Sequence, residues 1–185
     1  MKRILSMFLV LLFLPGCGHQ KDYLQEGIQL RQQLLENGCS FVADITANYG
    51  DKTYTFSVGC TADSSGDIRF IVIAPETIAG ISGKMTNENG FLTFDETVLA
   101  FPLLADGEVS PVSAPWILMK TLRSGYMTYA GKDGSETVVT ICDSYKNESL
   151  QLDIWLNESG YPRYADILWQ GRNVLSITVK DFSIV

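Results

Sequence analysis

Thiols carry most of the chemistry open to this chain. Cys39 and Cys60 stand in two successive stretches that alternate apolar and polar residues. If Ala47 faces Lys52 across the turn between them, Phe41 faces Val58 and Cys39 faces Cys60. Directly opposed residues lie about 4.5–5.5 Å apart, within disulfide span. The pair reads either as that bond, which an exported protein permits, or as two buried thiols acting as small hydrophobes. Cys142 lies in a later strand pattern beside Ile141 and reads as core, because no histidine is near to activate it. His19 is the single histidine. A His-based triad or His-containing zinc site in the folded part is thereby excluded. Asp95-Glu96 and Asp143 could in principle work as a carboxylate pair, but turns favour Asp and that is the reading taken. The loop Asp63–Asp67 lacks the length and closing Glu of an EF-hand. No catalytic residue, metal ligand set or cofactor is expected.

Cys17 is a different case. Lys2 and Arg3 precede an apolar run from Ile4 to Leu14, interrupted only by Ser6, and Pro15, Gly16 and Cys17 follow. A membrane span needs roughly 20 apolar residues, so this short run reads as an export signal. Leu14-Pro15-Gly16-Cys17 resembles a bacterial lipoprotein signal, although Pro15 departs from the usual Ser, Thr, Ala or Val. The resemblance implies cleavage after Gly16 and a diacylglycerol thioether on Cys17. Residues 1–16 are then the signal, 17–22 the lipidated tether and 23–185 a single domain. Two or more acyl chains anchor stably, so the domain is expected outside the cytoplasm on a membrane, with the covalent lipid as its only prosthetic group. The net charge of −7 carries no Lys/Arg cluster. Nucleic acid is excluded as a partner, as is electrostatic binding to anionic headgroups.

The elements that must position these residues follow from periodicity. Gln20 to Glu36 predicts a helix with Leu24, Ile28 and Leu35 near one stripe, Leu34 beside them, and Asn37-Gly38 as its stop. Period-two strands follow at 39–46, 53–60, 68–73, 80–86 and 91–94. Leu99 to Gly125 holds Pro102, Pro111 and Pro115, so regular sheet is not expected there. Its later part, Ala114 to Arg123, predicts a short helix that is apolar around most of its girth. Strands resume at 126–130, 136–143, 149–157, 161–170 and 173–182. The expected architecture is mainly β: one long, strongly curved antiparallel meander, an open half-barrel, with two helices on its concave face.

This order of elements resembles the LolA/LolB lipoprotein-carrier superfamily. The residues that carry the likeness are the strand Ile71-Val72-Ile73-Ala74-Pro75, the glycine-led Ala79-Gly80-Ile81, the turn into a strand at Asn89-Gly90-Phe91-Leu92, and the proline-bearing helical insertion. Within the superfamily the chain is similar to small lipoproteins of Firmicutes, the clostridial germination lipoproteins among them. The resemblance implies a binding protein, not an enzyme. Two kinds of partner fit it. One is a lipid or other apolar ligand held in the concave cavity under a lid carrying Trp116, Met119 and Leu122. The other is a cell-wall or spore-cortex hydrolase that the lipoprotein regulates, in which case those side chains are core.

Overall fold

The computed structural model describes residues 23–48, 50, 52–86, 90–94, 97–101, 104–105, 108–145 and 149–185. Cys17 and His19, with the rest of 1–22, and the Asp95-Glu96 pair lie outside the described residues.

Helix α1 spans Tyr23–Glu36 and buries Gly27, Leu30 and Leu34. That stripe is rotated from the expected one, leaving Leu24 and Leu35 exposed. Gly27 explains the rotation: a Cβ there would come within 3.2 Å of Met127 Sδ and 3.4 Å of Val139 Cγ1. The helix therefore settles where its backbone can approach the sheet most closely.

The strands are β1 Cys39–Asn48, β2 Thr53–Ala62, β3 Ile68–Ala74, β4 Ser82–Met85, β5 Gly90–Phe94, β6 Thr97–Phe101, the short hairpin of β7 Leu104–Ala105 and β8 Glu108–Val109, then β9 Tyr126–Asp133, β10 Glu136–Cys142, β11 Leu150–Leu156, β12 Pro162–Trp169 and β13 Arg172–Ile184. Helix α2, Ala114–Ser124, lies between β8 and β9. Residues 99–101 belong to the regular strand β6, although irregular chain was expected from Leu99 onward.

Eleven strands make one antiparallel sheet in the order β6-β5-β4-β3-β2-β1-β13-β12-β11-β10-β9. The single meander expected from sequence is thus two meanders joined back to back by the first and last strands. Side-chain pairing explains the seam: Ala43 faces Val179, Ile45 faces Ile177 and Ala47 faces Leu175, all on the inner face. Joining there also removes two edges that would otherwise stand unpaired.

The consequence is topological. β6 and β9 are the two edges of the sheet, and they flank the insertion in sequence. The insertion must therefore pass from one edge to the other, and it carries α2 over the concave face. There α2 packs on α1, β10 and β13.

Two arginines fix the helices to each other. Arg31 of α1 donates from Nε to Leu122 O at 2.6 Å and from Nη2 to Gly125 O at 2.7 Å, at the end of α2. Arg123 of α2 donates from Nη1 to Leu34 O, near the end of α1, and from Nη2 to Ser64 O in the β2–β3 turn. The last carbonyls of a helix have no partner of their own, and cations are favoured there by the helix dipole. Each helix is completed by the other's arginine.

Replacing Arg123 with Met keeps the apolar stem and removes the donors. Charged hydrogen bonds contribute about 1.5–3 kcal/mol each, so Arg123→Met is expected to lower stability by about 2–3 kcal/mol, read as a lower urea midpoint. Arg31→Met should behave alike, and the double variant should lose less than the sum, because both act on one joint.

Candidate functional site

The concave face is filled. Trp116, Met119 and Leu122 are brought together there, at 5%, 1% and 1% exposure. Beneath them the inward residues of the sheet, Ala43, Ile45, Ile141, Leu152, Ile154 and Ile177, are fully buried. A side chain lining an open cavity keeps surface accessible to a water-sized sphere, and these keep almost none. Eight residues of α2 are buried, the outcome its all-round apolar sequence demands. Two polar atoms on the helix, Trp116 Nε1 and Thr121 Oγ1, are buried without a hydrogen-bond partner. Lys120 Nζ sits 4.7 Å above the Trp116 ring.

The cysteines are placed by a register that corrects the expected one. Asn48 faces Thr53, so Cys39 faces Ala62 and Cys60 faces Phe41. Both thiols point inward, but diagonally, a spacing of about 7–8 Å that exceeds disulfide reach, and both are free. A shift of two residues leaves every side chain on its face, so periodicity cannot detect it. The turn decides: Asn48 Oδ1 accepts from Gly50 N at 3.1 Å, and Gly50 takes the left-handed φ of 83°. The Cys39 thiol donates to Met119 Sδ at 3.4 Å, tying β1 to α2. Burial pushes the Cys39 thiol up to about 11 and the Cys60 thiol up further. Neither is a nucleophile.

The carboxylates singled out in the sequence serve turns. Asp143 Oδ1 accepts from Leu150 N at 2.9 Å. Asp63 Oδ1 accepts from Ser65 N at 2.9 Å and Asp67 N at 3.2 Å. Among the described residues no group of three or more His, Cys, Asp or Glu could hold a metal. No helix among them is long and apolar enough to cross a membrane.

A groove lies instead on the outer, convex face. It has a volume of about 430 Å3, and its lining includes Val42, Gly59, Thr61, Arg69, Ile71 and Asp181. Register builds it: Val42 faces Gly59, Gly59 faces Ile71, and Thr61 faces Arg69. Gly59 has no side chain to fill its place, and a Cβ there would meet Ile73 Cδ1 and Ile71 Cγ2 at 3.5 and 3.6 Å. Ile71 and Ile73 are each 50% exposed. The far wall is the β1–β13 bulge between Ser40 and Val42, beside Asp181 at φ 51°. Sequence reasoning missed this surface. Its signal was the unbroken apolar run Phe70–Ile73, which denotes a strand apolar on both faces where only one face is covered.

Leu122→Ala removes buried volume from a filled space and is expected to cost about 2–5 kcal/mol, measured by urea unfolding; a lid over an open cavity would lose far less. Near the groove, Asp44 holds Lys180 Nζ and accepts from Ser57 Oγ at 2.6 Å. The lysine bond first, then the serine, keeps its carboxyl below the usual carboxylate range. A depressed folded pKa stabilises above the unfolded value of about 3.9 and is lost as pH falls through the folded one. Asp44→Asn should therefore flatten the acid side of the stability curve, seen by comparing urea midpoints at pH 7, 5 and 3.

No family model matches the chain, and no curated protein matches it. Solved structures do. A domain named for outer membrane lipoprotein sorting, from Vibrio parahaemolyticus, is 9% identical with a TM-score of 0.50, over 86% of this chain and 91% of that one. A LolA superfamily protein from Nitrosomonas europaea is 9% identical with a TM-score of 0.44, over 86% and 93%. A complex of the CwlD amidase from Clostridioides difficile with the GerS lipoprotein is matched at 15% identity and a TM-score of 0.44, over 89% and 95%. At these identities the likeness is one of fold. The chain shares the fold of the Vibrio parahaemolyticus domain, an open antiparallel half-barrel with helices over its concave face.

Proposed function

We propose that the chain is a membrane-anchored binding protein that docks a cell-wall or spore-cortex hydrolase and regulates it, with no catalysis of its own. One observation carries this reading: the concave space that an acyl chain would need is taken by the protein's own Trp116, Met119 and Leu122. Binding is then left to the outer surface, where the apolar groove lies. The turn roles of Asp63 and Asp143 support binding over chemistry. The anchor rests on Cys17, and the class of partner on the resemblance to small Firmicutes lipoproteins.

A second reading, an apolar ligand under α2, is favoured by a specific observation. Trp116 Nε1 and Thr121 Oγ1 are buried donors without acceptors, each costing about 1–3 kcal/mol. A ligand carbonyl entering beside them would remove that cost.

Native mass spectrometry separates the two. The full chain is purified with its anchor from its own envelope after mild crosslinking. The expected result is a complex with a hydrolase and no lipid beyond the covalent one. A stoichiometric lipid released on denaturation would overturn the first reading in favour of the second. Cys17→Ala is expected to abolish the covalent lipid mass and move the chain from the membrane to the soluble fraction.

A further inference from the structure

The convex groove has a polarity that specifies what it takes. Resting on the reading of the chain as a protein-docking module, we infer that the groove binds a partner segment that presents an apolar side chain next to a carboxylate. The apolar side chain fills the place left vacant at Gly59, between Val42, Ile71 and Ile73. The carboxylate meets Arg69.

Charge complementarity carries the inference. Arg69 is exposed on the outer face and, among the described residues, makes no hydrogen bond or ion pair. It stands directly opposite Lys84 on β4. Like charges facing each other across strands destabilise a sheet, and one anion serves this pair: Asp67, at 2.8 Å from Lys84 Nζ. A second carboxylate is wanted beside Arg69, and arginine receives carboxylates through two parallel hydrogen bonds. Next along the same outer row, Lys84 faces Phe91, which is itself partly exposed. The cationic end is therefore bordered by apolar surface on both sides. Asp181 forms the opposite end of the groove and repels a carboxylate, so the orientation of the bound segment is fixed. In a chain of net charge −7, a local excess of cation next to apolar surface is a specific feature and not the general character of the surface.

Position favours a protein occupant. The groove's β1 wall starts just after α1 ends, and α1 is 14 residues long, about 21 Å at 1.5 Å per residue. With the anchor proposed at Cys17, which precedes α1 in sequence, the groove is offered to something standing off the membrane.

The test is photo-crosslinking in the native envelope with the full anchored chain. Thr61→p-benzoylphenylalanine places the probe on the groove wall, and Tyr129→p-benzoylphenylalanine places it on the outer face of edge strand β9. Two further changes, each combined with the Thr61 probe, test the chemistry. Gly59→Leu fills the vacancy, where contacts of 3.5 and 3.6 Å leave room for a side chain. Arg69→Glu reverses the charge and gives Lys84 an opposite partner, so the fold is expected to be kept, which thermal melting checks. The expected result is a crosslink from position 61 to a hydrolase peptide with Asp or Glu within two residues of the attached apolar side chain, reduced at least tenfold by either change. A hydrolase captured only from position 129, a crosslinked segment without a carboxylate, or yields that survive both changes would overturn the groove while leaving the docking function intact. Lipid captured at position 61, or bound lipid in native mass spectrometry with no protein crosslink at either position, would overturn both.

Discussion

The chain has to cross its own sheet. Its two meanders meet at β1 and β13, which puts β6 and β9 at opposite edges, and the segment joining those edges can only run over a face. An apolar helix of the composition of α2 cannot cross the wet face, so it crosses the inner one. The filling of the half-barrel is thus a consequence of strand order and not of any one contact. Within the insertion, Pro111 and Pro115 stand at the starts of the 3-10 turn Pro111–Ser113 and of α2, where they help start the helix.

A helix buried this deeply raises a polar problem at its C-terminus, where carbonyls have no intrahelical partner. The fold solves it twice with one device. Arg31 completes α2, Arg123 completes α1, and Arg123 also ties in the β2–β3 turn through Ser64. Three elements distant in sequence are thereby held by two side chains. Apolar stems lie along the core while the forks reach carbonyls at its margin. The arrangement leaves α2 little freedom to lift as a unit, which agrees with a plug better than with a lid.

Much of this was legible in the residues. The period-two runs, the turn residues and the apolar girth of Ala114–Arg123 place nearly every element, because each reports local geometry. What stayed hidden depends on long-range choices. Nothing local says that β13 returns to β1, since the partner strands are 143 residues apart at the Ser40–Ser183 contact. The β1–β2 register was hidden for a subtler reason: slipping by two residues preserves both faces, so only the Asn48–Gly50 turn distinguishes the alternatives. The rotation of α1 was likewise set by an absence of side chain, at Gly27, which a hydrophobic stripe does not register.

The outer groove shows the same logic in reverse. β3 is apolar on both faces, a pattern ordinarily found where both faces are covered. Here α1 and α2 lie on the inner face, and Ile71 and Ile73 remain half exposed outside. Filling the concave face with the chain's own helix removes the pocket that gives a half-barrel its usual interior. What remains apolar and open is on the other side of the same strand, beside a glycine that leaves room and an arginine that has no partner among the described residues. The topology that closes the inside is therefore also what leaves the outside of β2 and β3 as the open apolar surface of the sheet.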